Sequence, residues 1–170
     1  MALPKKLKNL NVFNDAESLK GQIGGVTLPK LARKLENWRG GGMDAPVKID
    51  LGAADDLTME WGIGGLDLTT VRQFAKPGVA GVQIRFAGAY QRDDTGDVDA
   101  VEIVVRGRHE EIDFGEAKAG EDTEQKIITH CAYYKLVVNG RTEVEIDILN
   151  MICIVNGTDM LAAQRKALGL

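Results

Sequence analysis

The sequence KIITHCAYYKLVVNGRTEVEIDI occupies residues 126–148, and it decides the fold class. At its centre, Asn139-Gly140 is the strongest short signal for a β-hairpin, because a two-residue turn of this kind needs positive φ at both central positions. The stretch therefore predicts two antiparallel strands, Lys126–Val138 and Arg141–Ile148.

The second of these strands alternates strictly between charged and apolar residues. Its apolar face carries Val144, Ile146 and Ile148. Its other face carries Glu143, Glu145 and Asp147, about 7 Å apart along the strand. Three like charges in a row repel one another, so this acidic stripe must meet water or cations. It is either a solvated outer face or the lining of a water-filled ring, and both interpretations stay open.

Further strands are predicted on the N-terminal side of this hairpin. Alternation of apolar and polar residues is clear in Val47–Leu51, Leu57–Ile63 and Val79–Gln91. The other candidates are Asn9–Phe13, Gln22–Leu28, Lys30–Trp38 and Val98–Ile112, the last following a turn at Asp93–Gly96. Lys30–Trp38 also fits a helix, since Leu31 and Leu35 are four residues apart, but it is assigned to a strand.

A short helix is predicted at Leu68–Ala75. Asp67 or Thr69 can cap its first turn, and Pro77 ends it. Its apolar stripe, which should face the core, consists of Leu68, Val71 and Phe74.

A second short helix is predicted at Met160–Leu168. Thr158 or Asp159 can cap its start, and Gly169 follows at the position where helices commonly turn left-handed. The predicted fold class is mainly β, a sandwich or partial barrel of antiparallel strands with one or two short α-helices.

Length and composition indicate one domain that is neither basic nor membrane-bound. The 170 residues include 21 Lys and Arg against 25 Asp and Glu, a net charge of −4. Tight nucleic-acid binding usually needs a basic face. Lys5, Lys6 and Lys8 are interpreted as part of a solvated N-terminal arm. Cys131 and Cys153 lie in apolar runs and are predicted to be buried free thiols. No secretory signal or membrane anchor is recognised, so synthesis and use in the cytoplasm are expected.

Signals for catalysis, cofactors or metals are weak. His109 with Glu110 and Glu111 is typical of a charged, exposed strand end. His130 precedes Cys131, but neighbours on a strand point to opposite faces, so the pair is a poor metal site. The glycines at 62–65 indicate a turn, because they lack the spacing of a nucleotide-binding loop. We therefore expect a protein that is not an enzyme and binds no cofactor or metal.

One loop has a composition that no packed core requires. It is Arg39, Gly40, Gly41, Gly42, Met43, Asp44, Ala45 and Pro46. Three glycines and a proline favour a surface loop that can change shape when it meets a partner.

This loop and several other segments, in order, resemble the FII-type major tail tube proteins of contractile-tailed phages, which are related to R-type pyocin tubes. The matching segments are 3–13, 27–31, 39–47, 81–88, 133–136, 139–141, 145–147 and 156–170. Each segment alone is a weak signal, but their joint order is specific and spans essentially the whole chain.

The resemblance implies a structural subunit. Six copies would form a ring with a continuous inner barrel, and rings would stack into a hollow tube that conducts DNA. It implies one tube domain over 1–170, with an N-terminal arm at 1–8, an assembly loop at 39–46 and a C-terminal helix at 158–168. The implied partners are further copies of the chain, a tail sheath protein, a tape-measure protein in the lumen, and baseplate and tail-terminator proteins. The location would be the virion tail, assembled in the bacterial cytoplasm.

Under this resemblance, the stripe of Glu143, Glu145 and Asp147 becomes a candidate lining of the lumen. Negative groups there would keep the phosphate backbone of passing DNA from adhering. Two alternatives remain. One is the tube of a pyocin-like or type VI secretion-like injection machine, and the other is a small β-barrel that binds a ligand.

Overall fold

The computed structural model describes all residues 1–170, and it is an antiparallel β structure with two short helices. The strands are β1 (Lys6–Asn14), β2 (Glu17–Ser18), β3 (Ile23–Thr27), β4 (Arg33–Trp38), β5 (Val47–Ala53), β6 (Leu57–Ile63), β7 (Val82–Gln91), β8 (Val98–Asp113), β9 (Gln125–Val138), β10 (Arg141–Asp147), β11 (Ile152–Val155) and β12 (Thr158–Asp159). The helices are α1 (Leu68–Val71) and α2 (Ala162–Leu168). The predicted mainly β fold is confirmed. No helix has the length and apolar character that crossing a bilayer requires.

The main sheet branches at β9, which pairs with two different strands along one of its edges. Its order is β12-β11-β10-β9-β8-β7-β1-β2. The first half of β9 also pairs with β6, which in turn pairs with β3, whereas the second half pairs with β10. The hairpin predicted at Asn139-Gly140 is confirmed, with Arg141 opposite Val138. Both turn residues have positive φ, 49° and 80°.

One apolar core lies on the inner face of this sheet. It contains fourteen buried side chains, from β1, β6, β7, β8, β9 and the turn after β2. Phe86 of β7, Leu19 of the turn after β2 and Met59 of β6 are its largest fully buried members. Because alternate residues of a strand share one face, the alternation seen in the sequence places these side chains inward.

Strands β4 and β5 stand apart as a separate two-stranded ribbon. They pair with each other, with Trp38 opposite Val47 and Glu36 opposite Ile49. Neither strand makes an extensive contact with any other strand or helix of the chain. The strand assignment for Lys30–Trp38 is confirmed over Arg33–Trp38, and the helical alternative is wrong.

Several predicted boundaries near the two ends of the chain differ from the structure. Strand β1 begins at Lys6 rather than Asn9, so Lys6 and Leu7 of the expected arm pair with Gln91 and Tyr90 of β7, and Lys8 lies at a bulge. The predicted helix at 158–168 begins only at Ala162, because Thr158 and Asp159 form β12. Asn156-Gly157, with φ of 51° and 79°, makes the hairpin turn that joins β11 to β12.

The α2 helix is capped differently from the prediction. Its N-cap is Leu161, which makes no side-chain capping bond, although Asp159 accepts a hydrogen bond from the Leu161 N–H and pairs with Arg165. Gly169 ends the helix at φ 73°, as predicted. Both cysteines are free, and Cys131 is buried, but Cys153 is only half-buried.

Candidate assembly interface

The predicted loop at 39–46 is the tip of the β4–β5 ribbon. Two hydrogen bonds within the loop hold its shape. Arg39 Nε donates to the carbonyl of Met43 at 3.1 Å, and the Met43 N–H donates to the carbonyl of Gly40 at 3.3 Å. Gly42 has φ of 80°, a conformation that favours glycine. The loop therefore has a defined turn at the end of the ribbon where β4 is joined to β5.

The two faces of the ribbon differ in polarity. Directly opposite residues in an antiparallel pair share one face. One face therefore carries Trp38, Val47, Ile49 and Leu51, all of them exposed. The other face carries the ion pair between Arg33 Nε and Asp50 Oδ2 at 2.8 Å, and this hydrogen bond lowers the pKa of Asp50. A two-stranded ribbon is marginal in water alone, so its apolar face needs a partner.

The predicted acidic stripe lies on β10, but its members have different surroundings. Glu143 sits at a bulge, since the register with β9 shifts between Thr142 and Val144. Glu145 lies opposite Lys135 of β9. Asp147 accepts hydrogen bonds from the backbone N–H and the side-chain Nδ2 of Asn150 at 3.2 and 2.7 Å. All three acids are half-buried.

Basic residues from neighbouring strands share this outer face. The rows of paired residues place Arg106, Tyr133 and Asp147 side by side, and the Arg106 guanidinium lies 4.7 Å from the centre of the Tyr133 ring. Burial, followed by the nearby carboxylate of Glu145, raises the pKa of Tyr133. The stripe is therefore part of a face of mixed charge and not an isolated acidic row.

Farther along this face, cation and carboxylate are paired directly. Arg85 Nη1 of β7 contacts Glu102 Oε1 of β8 at 2.7 Å, and the Arg85 guanidinium lies 4.1 Å from the centre of the Phe13 ring. These contacts hold the charges in place across three strands of the sheet.

The prediction that His109 is exposed is wrong, because the side chain is buried at 6% exposure. His109 Nδ1 lies 2.9 Å from Thr129 Oγ1, which also accepts a hydrogen bond from Trp61 Nε1 at 3.1 Å. The Trp61 and His109 rings are 6.0 Å apart. The neighbours Glu110 and Glu111 are exposed, as predicted. The alternation along β8 could have predicted this burial, because His109 follows Val105 and Gly107 at every second position and so lies on the inner face.

The bonds on the other side of His109 fix its tautomer. Gln73 donates from Nε2 to Asn14 Oδ1 at 2.8 Å, so its Oε1 is the acceptor that faces His109 Nε2 at 2.9 Å. His109 is therefore protonated at Nε2 and accepts at Nδ1 from the Thr129 hydroxyl. Burial lowers the pKa of His109 from 6.5 to about 4, which keeps the ring neutral at physiological pH.

The remaining polar groups of this network come from the α1 segment. Asp67 caps α1 by accepting from the Thr70 N–H at 3.0 Å, so the capping prediction for Asp67 is confirmed. Gln125 Oε1 accepts from the Asp67 N–H at 2.9 Å, and Asn14 Nδ2 donates to Thr70 Oγ1 at 3.0 Å. A chain of buried hydrogen bonds thus ties α1 to β1, β8 and β9.

The predicted orientation of the first helix is wrong. The side chains that face the sheet are Asp67, Thr70 and Gln73, all buried. Of the predicted apolar stripe, Leu68 and Phe74 are exposed and Val71 is half-buried. The α1 helix is also shorter than predicted, ending at Val71.

Comparison with known proteins gives two relatives over nearly the whole chain. The tail tube protein of Escherichia phage P2 is 54% identical over 172 residues, which cover 100% of both chains. The major tail tube protein of Serratia phage KSP20 is 37% identical over 163 residues, covering 94% of this chain and 92% of the relative.

A solved structure shares the fold at low sequence identity. The sheath/tube terminator of an extracellular contractile injection system, PVC, superposes with a TM-score of 0.58 at 10% identity, covering 80% of this chain and 96% of that one. The model of the family described as phage tail tube protein FII matches residues 4–169. Together with the two phage relatives, this match shows that the chain belongs to the phage tail tube protein FII family.

Proposed function

We propose that this chain is the repeating subunit of the inner tube of a contractile phage tail, in which six copies form a ring and stacked rings form a hollow conduit for DNA. Family membership and the 54% identical tail tube protein of phage P2 support the tube role. The subunit acts mechanically, as a rigid wall, and it carries out no reaction.

The observation that carries this proposal is the unpartnered β4–β5 ribbon. Its apolar face is open to water, and the ribbon makes no extensive contact with the main sheet. More large apolar side chains are exposed than the fourteen that form the core. Isolated monomers rarely leave such surfaces uncovered, so assembly with further copies accounts for them.

The open edges of the main sheet support ring formation. Strand β1 pairs with β7 on one side, but on its other side β2 reaches only Phe13 and Asn14. The Leu19 N–H donates to the carbonyl of Val12 at 2.8 Å, so residues 6–11 of β1 present a free edge, which invites pairing with another strand. Repeated head-to-tail pairing with a fixed rotation closes a ring and leaves no such edge.

The outer face that carries Glu143, Glu145 and Asp147 is the proposed lining of the lumen. Its cations have acidic or aromatic neighbours, as in the contact between Arg85 and Glu102 and the stacking of Arg106 on Tyr133. Such a face offers no unpaired cationic cluster to the phosphates of passing DNA.

The proposed location is the virion tail, and the proposed partners follow from the tube role. The outer wall would contact the sheath protein, the ends would contact baseplate and terminator proteins, and the lumen would hold a tape-measure protein during assembly. No membrane anchor is proposed.

Replacement of Gly40, Gly41 and Gly42 by alanine tests the role of the 39–46 loop. Gly41 has open space around it, whereas Gly42 at φ 80° disfavours any side chain. The triple variant should keep the far-ultraviolet spectrum of the folded monomer but fail to form tubes under electron microscopy. Gly41→Ala alone is the control and should assemble. Normal tubes from the triple variant would contradict a contact role for this loop.

A further inference from the structure

In the segment after β6, polar side chains are buried and large apolar side chains are exposed. Asp67, Thr70 and Gln73, spaced three residues apart, point into the protein and are buried. Its large apolar side chains point outward and are exposed: Leu66, Leu68 and Phe74. An amphipathic segment on a monomer normally buries its apolar side. This outward apolar group is called the α1 patch below.

Buried hydrogen bonds, rather than apolar packing, set the orientation of this segment. The Asp67 backbone N–H donates to Gln125 Oε1, the Thr70 hydroxyl accepts from Asn14, and the Gln73 side chain accepts from His109. Rotating the segment to bury Phe74 would leave these polar groups without partners, at a cost in free energy. The α1 patch is therefore a specified surface, and Phe74 is 59% exposed because the network holds it outward.

The chain itself contains a surface that matches the α1 patch. The apolar face of the β4–β5 ribbon, with Trp38 and Ile49, is also exposed and is not covered by its own subunit. Head-to-tail assembly joins two different surfaces of identical subunits. A ribbon on one copy and an α1 patch on the next would bury both apolar groups at once.

The charges beside the two surfaces are complementary. Arg72 and Lys76 border the α1 patch, are exposed and form no ion pair within the chain. Glu36 lies on the apolar face of the ribbon, where its only ionic neighbour is Lys34 at 3.7 Å. A second copy's ribbon would thus bring a carboxylate toward two unpaired cations.

We propose that the α1 patch is the seat for the apolar face of the β4–β5 ribbon of a second copy. The inference rests on the proposed function, because it requires that copies of the chain assemble. It goes beyond that function by assigning the surface that receives the ribbon. It also gives the buried His109 network a role, which is to present the patch.

Cysteine cross-linking tests this pairing directly. Ile49→Cys and Phe74→Cys are placed on separate chains, both carrying Cys153→Ser, while Cys131 stays because it is buried. The two chains are mixed, assembled and oxidised. Disulfide-linked dimers should form at least tenfold more in this mixture than with either chain alone. The matched control replaces Phe74→Cys by Thr95→Cys, an exposed site at the 92–97 turn, and should give no such gain.

The possible results separate this inference from the proposed function. Tubes in the microscope without cross-links above the Thr95→Cys control would overturn the docking surface and leave the tube role intact. Failure of the unsubstituted chain to assemble, even with baseplate proteins present, would overturn the tube role and the docking surface with it.

A surface variant gives a second readout. Leu68→Ser with Phe74→Ser changes side chains that are exposed in the monomer, so the melting temperature should stay close to that of the unsubstituted chain. Tube mass measured by sedimentation should fall at least tenfold. Assembly at the normal level would contradict the proposal, and should the variant fold poorly, the cross-linking result decides.

Discussion

His109 Nε2 lies 2.9 Å from Gln73 Oε1, and this contact joins the centre of the sheet to the end of the α1 segment. The two residues are 36 positions apart in sequence. Because Gln73 is held by Asn14 on its other side, His109 must donate here and accept from Thr129. The contact explains why a segment with an apolar outer face keeps that face turned to water.

Stability should depend on pH through His109. Its pKa falls from 6.5 to about 4 on folding because of burial, so the unfolded chain binds the extra proton between these values. The free energy of unfolding is therefore highest above pH 6.5, as far as His109 is concerned. It falls by about 3 kcal/mol as the pH is lowered from 6.5 toward 4. Urea unfolding from pH 7.5 to 4 measures it. His109→Gln should flatten the dependence and His130→Gln, at the half-exposed histidine, should not; equal slopes in all three proteins would contradict this assignment.

Thr129→Val should destabilise the fold, although valine has nearly the same shape as threonine. The substitution leaves Trp61 Nε1 and His109 Nδ1 buried without a partner, which costs about 1–3 kcal/mol. Denaturant titration followed by tryptophan fluorescence gives the free energy of unfolding. Thr58→Val removes a more accessible hydroxyl that contacts His130 and should cost about 0.5 kcal/mol or less. Similar losses in both variants would show that the network does not stabilise the core.

Gly107→Ala should destabilise the fold far more than Gly41→Ala. An added Cβ at this position would lie 1.8 Å from the carbonyl oxygen of His130, where β8 and β9 meet at a bulge. The backbone must shift, so we expect a loss of more than about 2 kcal/mol or failure to fold. Gly41→Ala, which meets nothing within 4 Å, is the control. A normal melting temperature for Gly107→Ala would mean that this close approach is absent in solution.

Reversing the acidic stripe tests the lumen assignment. Changing Glu143, Glu145 and Asp147 to lysine would add three cations to a face whose charges are now mixed. If this face lines the tube, DNA phosphates should adhere to it, and delivery of DNA should fall by about tenfold or more. Delivery is measured as infective titre in particles whose tails look intact by microscopy. Unchanged titre with intact tails would place this face outside the lumen.

Sequence alone predicted the sheet well, because alternation and turn residues act locally. Leu57–Ile63 has the predicted bounds, and Asn139-Gly140 makes the predicted turn. The same dipeptide at Asn156-Gly157 was a readable hairpin signal, but the capping potential of Thr158 and Asp159 favoured a helix start. Local patterns of this kind compete, and only the pairing of β11 with β12 decides between them.

The orientation of the α1 segment cannot be predicted from local sequence patterns, for a different reason. Leu68, Val71 and Phe74 form a good helical stripe, and so do Asp67, Thr70 and Gln73 three residues apart. The choice between them depends on partners elsewhere in the chain, above all His109 and Asn14. For a monomer, the expectation that a helix buries its apolar side is the right one. It is wrong for this segment, because a buried network of hydrogen bonds holds the polar side inward.

Electron microscopy of the purified chain at high concentration, with light scattering on the same sample, tests the central claim most directly. The tube account predicts rings or hollow tubes with sixfold end views, and scattering that rises with concentration. A chain that stays monomeric, even when its baseplate proteins are added to initiate assembly, would contradict it.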